Sequence, residues 1–264
     1  MDRTLESTER HNRSITTPTL RLVAGAAIAL MALGGGCRWG GAAQNGLGLQ
    51  LYQQGRYAEA LQQFELARQT DPTNPDTYYN LGSTYMHLGL TQKDTKMLEQ
   101  SETLLNECLE LNPNHTDCYR ALAVLLVETD RSDKAFKLLQ NWGTASPTLA
   151  DPKVELARLQ SEFGQSKAAQ LTLDEALAMD PNHARAWAAR GKMREDAGDL
   201  PQAIQNYQQS LALNALQPEL FQRVAALNVQ IAQNTIATAN SAIIASGTAP
   251  PSSTSPATPA TKRY

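Results

Sequence analysis

The sequence predicts an all-α protein, an α-solenoid of about five helical hairpins followed by a C-terminal capping helix. Two observations lead to this prediction. Proline-containing turns recur at a nearly constant interval, and small and large residues occupy fixed columns within each interval. A period near 34 residues is typical of architectures in which each helical unit packs only against its neighbours. The 264 residues can therefore bury their apolar side chains along an axis rather than in one central core.

The turns define the period. Pro72, Pro113, Pro147 and Pro181 are separated by 41, 34 and 34 residues. Proline cannot continue a helix and disfavours the α conformation in the residue before it, so each site should end one helix and lead into the next. The longer first interval adds about two helical turns, which returns an apolar stripe to nearly the same face. We expect this insertion, residues 90–98, at the turn inside the second hairpin.

The columns predict how the two helices of each hairpin pack. A residue must stay small where two helix backbones approach closely, because a branched side chain would push them apart. Large residues fill the volume that the small columns leave open. The small columns are Gly48, Gly82, Ala123, Ala157 and Gly191 on the first helices and Ala60, Ser101, Ala135, Ala169 and Ala203 on the second helices, which also carry the large column Phe64, Leu105, Leu139, Leu173 and Tyr207.

The turn inside each hairpin contains a residue suited to a left-handed backbone conformation, in which helices commonly end. We expect that conformation at Gly55, Gly89, Gly164 and Gly198, and at Asp130 in the third hairpin.

This pattern resembles that of tetratricopeptide repeats (TPRs). The resemblance implies a right-handed superhelix over residues 41–240, with no catalytic role and with protein or peptide ligands bound along the wall that the first helices form. One departure lies in the fifth hairpin, where Arg190 and Arg194 replace the expected apolar residues. The implied repeats are about 41–74, 75–115, 116–149, 150–183 and 184–217, with a cap at 218–240.

The first 37 residues have the order of an export signal. Four arginines precede an uncharged stretch, residues 22–37. Sixteen helical residues span roughly 24 Å, less than the ~30 Å hydrocarbon layer, so cleavage or a shallow anchor is favoured over a permanent span. The residues before Cys37, Leu33-Gly34-Gly35-Gly36, resemble a bacterial lipobox, although Gly34 holds the place where a branched apolar residue is usual.

The lipobox resemblance implies that Cys37 is acylated, for example with palmitate, and holds the protein to a bacterial membrane. Residues 38–44 then form a tether, and the body faces the periplasm. Arg38 after the cysteine is not acidic, which by resemblance favours the outer over the inner membrane. Ordinary cleavage or an uncleaved anchor is the first alternative, and a cytosolic protein with a chance apolar start is the second. Residues 246–264, rich in Ser, Thr, Pro and Ala, are predicted to be a disordered tail.

No sequence motif indicates catalysis, a metal site or a cofactor, since zinc-protease, phosphate-loop and paired Cys-x-x-Cys patterns are absent. The net charge of −3 argues against nucleic acid as a partner. His115 and His183 occupy equivalent inter-repeat turns, which indicates a turn role. Cys108 and Cys118, ten residues apart, can lie close together; two buried free thiols are the expected state, and a disulfide is the alternative in an exported protein.

We expect the ligand-binding groove on the wall that the first helices form. Its first three hairpins are mainly apolar and aromatic, which suits an amphipathic helix or an extended peptide, whereas the last two carry mixed charge. Packing against neighbouring helices is the alternative role for these side chains. The predicted groove residues are Tyr52, Tyr79, Ser83, Met86, Arg120, Val124 and Arg158.

The first functional hypothesis is therefore an envelope-tethered adaptor that docks a peptide or helix from an assembly partner. A second is a self-associating structural protein that uses Arg190, Arg194 and the capping helix as a subunit interface. A third, less favoured, is a periplasmic redox protein that uses Cys108 and Cys118. The sequence leaves the partner and the oligomeric state open, because packing columns carry no information about either.

Overall fold

The computed structural model describes residues 40–245, with side chains as far as residue 242. The predicted signal segment, Cys37 and the predicted tail at 246–264 lie outside the described residues. Within residues 40–245 the chain forms eleven helices and no strand, so the predicted all-α class is confirmed. The chain divides into two compact units, unit 1 up to Arg131 and unit 2 from Ser132 onward.

Unit 1 is a run of antiparallel helix pairs in which α3 packs on α2, α4 and α5. Its helices are α1 (residues 40–53), α2 (Tyr57–Thr70), α3 (Pro75–Gln92), α4 (Thr95–Leu111) and α5 (Thr116–Glu128).

Within unit 2, α7 packs on α6 and α8, α9 packs on α8 and α10, and α10 packs on α11. Its helices are α6 (Ser132–Ala145), α7 (Asp151–Glu162), α8 (Ser166–Met179), α9 (Ala184–Asp196), α10 (Leu200–Leu213) and α11 (Pro218–Ala245). No helix within residues 40–245 combines the length and apolarity needed to cross a membrane.

Helix α1 includes residues 40–44, which the sequence assigned to a tether. Gly41 is buried, and a Cβ atom there would lie 3.2 Å from the Cβ of Asp71 at the end of α2. The Thr70 hydroxyl donates a hydrogen bond of 2.9 Å to Gln44 Oε1. These contacts hold the start of α1 against α2 and extend the first hairpin backwards.

The seven-residue insertion lengthens both helices of the second hairpin. Helices α3 and α4 have 18 and 17 residues, whereas α2 has 14 and α5 has 13. The turn therefore shifts along the chain, and Lys93 (φ 55°) rather than Gly89 takes the left-handed conformation there. Gly89 lies inside α3, where a Cβ atom would come within 2.7 Å of the Leu98 side chain. The expectation for Gly89 was wrong because the insertion divides between two helices.

The other four turns have the expected residues in the left-handed region. Gly55, Gly164 and Gly198 have φ values of 76°, 71° and 78°, and Asp130 has 59°. Each of these residues ends the first helix of its hairpin, as the TPR-like pattern predicted.

The small columns are confirmed as sites of close approach. A Cβ atom at Gly48 would lie 2.4 Å from the Phe64 ring, and one at Gly191 would lie 2.5 Å from the Tyr207 ring. At Gly82 the distance to Leu105 Cγ would be 2.8 Å. These distances leave no room for a methyl group beside a rigid ring, so the second helix can pack against the first only because the glycine lacks one. All ten small-column residues are buried.

Two of the inter-repeat turns, those before α5 and α9, are capped by histidine. Nδ1 of His115 accepts a 3.2 Å hydrogen bond from the backbone N–H of Cys118, and its Nε2 lies 3.0 Å from Asp76 Oδ1. His183 repeats this arrangement, accepting from Ala186 N–H at 3.2 Å. With Nδ1 accepting, Nε2 carries the proton and donates to the carboxylate. The expected turn role of both histidines is confirmed.

Helix α11 packs its first half against α10 and extends five residues past the predicted cap. Leu227 of α11 is 1% exposed and joins a cluster with Ala203 and Tyr207 of α10. The Glu195 side chain is 8% exposed. Its carboxylate accepts a 2.9 Å hydrogen bond from the Tyr207 hydroxyl and forms an ion pair with Arg223. The Arg223 hydrogen bond lowers the pKa of Glu195, against a smaller opposite effect of burial.

Adding one methyl group at the first crossing should destabilise the chain. We expect Gly48→Ala to cost about 1–3 kcal/mol by overpacking against Phe64. Gly46→Ala, two residues earlier in α1 with nothing within 4 Å, should instead stabilise by about 0.5–1 kcal/mol. Urea unfolding followed by circular dichroism measures both. Equal effects of the two substitutions would contradict the crossing.

The Glu195 contribution should depend on pH. Because its pKa is lowered in the folded chain, the stabilisation is present above the ordinary value of 4.5 and is lost as the pH falls through the folded value. We expect Glu195→Gln to cost about 1–2 kcal/mol at pH 7 and little in strong acid, where the wild-type carboxyl is also protonated. Asp196→Asn is the exposed control. Thermal melts that show the same Glu195→Gln deficit at both pH values would refute this assignment.

Candidate functional site

The predicted groove residues of unit 1 lie on α1, α3 and α5, the first helices of three successive hairpins. Asn80 of α3, 6% exposed, donates a 2.9 Å hydrogen bond from Nδ2 to Asn45 Oδ1 of α1. Helix α3 also packs directly on α5. These contacts place the side chains of the three helices side by side within unit 1.

Tyr52 belongs to an aromatic cluster at the end of the first hairpin. Its ring meets Tyr57 edge-on at a centroid distance of 5.1 Å, and Tyr57 lies 4.3 Å from the His87 ring. Burial raises the pKa of Tyr52, and the neighbouring Tyr57 and Tyr79 raise it further. The Tyr52 hydroxyl therefore remains protonated at neutral pH and can donate a hydrogen bond.

Tyr79 lies nearer the start of α3 than His87 does, and its ring packs against the side chain of another residue. Its ring stacks on His115 at 5.7 Å, with 29° between the ring planes. The His115 side chain is only 11% exposed and is fixed by Asp76 and by the backbone of Cys118. The partly exposed rings of Tyr52, Tyr57, Tyr79 and His87 together are called the aromatic face below. Aromatic rings held in this way are pre-organised for contact with a ligand.

The remaining predicted residues of unit 1 differ in accessibility. Val124 is 39% exposed, and Arg120 pairs with Asp117 at 3.0 Å while 29% of its side chain stays accessible. Met86 is partly exposed. The Ser83 hydroxyl oxygen is buried and has no hydrogen-bond partner in the described part of the chain. The Ser83 hydroxyl therefore cannot contact a ligand in this conformation.

Arg158, the last predicted groove residue, lies on α7 in unit 2. Its side chain is 45% exposed and is 3.6 Å from the buried carboxylate of Glu155. The structure thus brings six of the seven predicted residues onto the three first helices of unit 1 and places the seventh in the other compact unit.

Two residues of the aromatic face were missed by the sequence prediction. Tyr57 starts α2, directly after the Gly55 turn, so the reversal of the chain brings it back against Tyr52. His87 follows Met86 in α3 and contacts both tyrosines. For Tyr57 the sequence does carry a signal. It is the first residue of a second helix and directly follows the turn after Tyr52, so the chain reversal brings the two rings together.

Cys108 and Cys118 form a disulfide in the structure, with a Cα–Cα distance of 6.6 Å. It joins the end of α4 to the start of α5. One ring nitrogen of His115 lies within 4.8 Å of both sulfur atoms, a set that can hold a metal ion only when both thiols are free. In the bonded form the two sulfurs are unavailable, and the bond instead fixes the turn that carries His115 beneath Tyr79.

Comparison with protein families is consistent with this geometry. A TPR repeat model matches residues 48–89, and two tetratricopeptide repeat models match residues 83–115 and 154–218. Together these matches cover about half of the chain and fall on α1 to α4 and on α7 to α10.

Two human relatives and two solved structures illustrate the range of similar proteins. The human protein O-mannosyl-transferase TMTC1 is 28% identical over 174 residues, 63% of this chain, and human tetratricopeptide repeat protein 8 is 28% identical over 108 residues, 41% of this chain. The matched part spans only 19% of either relative, so the transferase activity in the first name belongs to that whole protein.

The solved structures show similarity of fold. A TPR protein of Thermus thermophilus is 22% identical with a TM-score of 0.54, covering 72% of this chain and 99% of its own. A tetratricopeptide repeat protein of Parabacteroides merdae is 14% identical with a TM-score of 0.55, covering 79% and 80%.

Removing the Cys108–Cys118 disulfide should lower the free energy of unfolding. We expect Cys108→Ala/Cys118→Ala to cost about 2–4 kcal/mol, because the bond restricts the unfolded chain. A thiol reductant should lower the melting temperature of the wild type by a similar amount and leave the double variant unchanged. A reductant effect of equal size on both proteins would show that the bond does not stabilise the fold.

Proposed function

The chain belongs to the tetratricopeptide-repeat family, and we propose that it is a non-enzymatic adaptor of the bacterial cell envelope that binds a peptide or an amphipathic helix on the aromatic face. The repeat fold supports a role as a protein–protein interaction scaffold. The more specific proposal concerns where the partner binds and how the chain is held at a membrane.

The observation that carries the binding proposal is the aromatic face itself. Tyrosine is among the residues that contribute most to binding, because a large ring with few rotatable bonds loses little conformational entropy when a partner covers it. Tyr79 is held by the stack on His115, and Tyr52 is held by Tyr57. Val124 and Met86 add apolar surface, and Arg120 supplies a charge at the margin.

A helix or an extended peptide matches this surface better than a compact small molecule. The contacts run from Tyr52 on α1 through α3 to Arg120 on α5, so the surface crosses three helices. Interhelical distances of about 8–10 Å make such a surface roughly 20 Å long. A partner helix presents apolar side chains every three or four residues over that length.

The envelope part of the proposal rests on the sequence before the described residues. An arginine-containing start, an uncharged stretch and the small residues before Cys37 favour export and acylation. The Cys108–Cys118 disulfide supports an oxidising compartment such as the periplasm. We therefore propose that the chain is attached to the outer membrane through Cys37 and faces the periplasm.

The binding proposal predicts a paired loss. Affinity capture from an envelope extract with the whole chain should yield a partner band that Tyr79→Ala/Arg120→Ala reduces at least ~10-fold, because anchor residues of this kind carry most of the binding energy. Leu171→Ala/Arg185→Ala, which removes exposed side chains of unit 2, is the matched control and should capture normally. Unchanged capture by the Tyr79/Arg120 variant would exclude the aromatic face.

The anchor is tested separately. In cells fed labelled palmitate, the wild-type chain should take up label and fractionate with the outer membrane, whereas Cys37→Ser should do neither. The Cys108→Ala/Cys118→Ala variant should be labelled as the wild type is, because acylation needs Cys37 only. Membrane fractionation of Cys37→Ser identical to the wild type would refute the lipid anchor.

A further inference from the structure

We propose that unit 2 contains a second binding site, a cationic cleft that accepts a carboxylate group from an acidic peptide segment. The cationic cleft lies between α7, α8 and α9 and has a volume of about 240 Å³. Ser161, Lys167, Arg190 and Arg194 line it, together with Asp196. This site is independent of the aromatic face, which lies in unit 1.

The cationic cleft occurs where the repeat pattern fails. Arg190 stands in the column that holds leucine in the four preceding hairpins, and Arg194 stands in a column of mainly apolar residues. The two guanidinium side chains keep 27% and 41% of their surface exposed, so at these positions α9 presents charge where the earlier hairpins present packing residues. Such departures from an otherwise consistent pattern are expected at functional sites. The preceding columns are Leu47, Leu81, Leu122 and Leu156 for Arg190, and Leu51, Tyr85, Leu126 and Gln160 for Arg194.

Arg190 is held in place by two contacts. It forms an ion pair with Asp174 of α8, and its guanidinium carbon lies 5.7 Å from the centre of the Trp187 ring. A planar guanidinium fixed in this way is oriented for hydrogen bonding to a carboxylate without further loss of side-chain entropy. Arg190 therefore provides the rigid wall of the cationic cleft.

Arg194 and Lys167 provide charge that the chain itself compensates only weakly. Arg194 is 41% exposed, and its nearest carboxylate oxygen, on Asp199, is 3.8 Å away. Lys167, at the start of α8, makes no ion pair within residues 40–245. The carboxylate of Asp196, also on the wall, is paired with Lys192. The uncompensated charge of Lys167 and the weakly paired charge of Arg194 favour an anionic group inside.

The size and the lining define the ligand. A volume of about 240 Å³ is below the ~300–1,000 Å³ typical of small-molecule sites, so it suits one acidic side chain rather than a whole metabolite. Leu173 and Met193 offer an apolar wall for the methylene groups of that side chain, and the Ser161 hydroxyl adds a donor. A glutamate or aspartate of a peptide fits this combination.

The probe for this site is fluorescein-labelled hexaglutamate, with hexaglutamine as the uncharged match, and binding to the whole chain is measured by fluorescence anisotropy. We expect hexaglutamate to bind and hexaglutamine not to bind. Arg194→Gln and Lys167→Gln should each weaken hexaglutamate binding about tenfold, the effect of losing one charge-assisted contact. Arg185→Gln, a cation of α9 outside the cationic cleft, and Tyr79→Ala on unit 1 should leave it unchanged.

The proposal would be overturned by equal binding of both peptides, by an equal loss for Arg185→Gln and Arg194→Gln, or by full binding by Lys167→Gln and Arg194→Gln. Displacement of hexaglutamate by inorganic phosphate but not by acetate would also overturn it, because the site would then select phosphate. Circular dichroism melts verify that each variant folds, and if Arg194→Gln does not fold, the exposed Lys167→Gln decides.

Discussion

The close crossing of the two helices of a hairpin within one unit is the constraint on which the rest of the structure depends. At these crossings a helix backbone lies against a large buried side chain, Phe64 in the first hairpin and Tyr207 in the fifth, with no space for a methyl group. Glycine or alanine on one helix and a large residue on the other satisfy this geometry together. The same pair of requirements recurs in the first two hairpins, within unit 1, and in the fourth and fifth, within unit 2, and the sequence shows it as columns at a nearly constant period. The buried column residues fix the packing, and the exposed positions between them are free to carry function.

The functional surfaces follow from this arrangement. In unit 1 the crossings hold the first helices side by side. Tyr52 of α1, Tyr79 of α3 and Arg120 of α5 therefore belong to one surface that crosses the three helices. The turn that ends the second hairpin is then fixed twice, by the His115 cap and by the Cys108–Cys118 bond, and the His115 ring stacks on Tyr79. In unit 2 the same scaffold presents arginines where the pattern expects apolar residues. One packing principle thus supports two surfaces of different chemistry.

Much of the fold could be predicted from the sequence because steric requirements leave a local signal. Four of the five turn residues and all of the small-column positions were predicted, since proline, glycine and alanine have few structural alternatives at such sites. The shift of the left-handed turn residue from Gly89 to Lys93 could not be predicted, because nothing in the local sequence shows how seven extra residues divide between two helices. Tyr57 and the inward hydroxyl of Ser83 depend on three-dimensional packing at the ends and sides of helices, which a column alignment does not record. The Glu195 contacts with Tyr207 and Arg223 join residues of three helices and are equally invisible in the repeat.

The most direct test of the account is a double-mutant cycle at the first crossing. Hairpin 4 pairs Ala157 with Leu173 in its core where hairpin 1 pairs Gly48 with Phe64. If complementary size is what holds the helices together, Phe64→Leu should relieve the overpacking that Gly48→Ala creates. We expect the double variant to be more stable, by about 1–2 kcal/mol, than the sum of the two single effects. Strict additivity in urea unfolding would contradict the claim that the two side chains share one space.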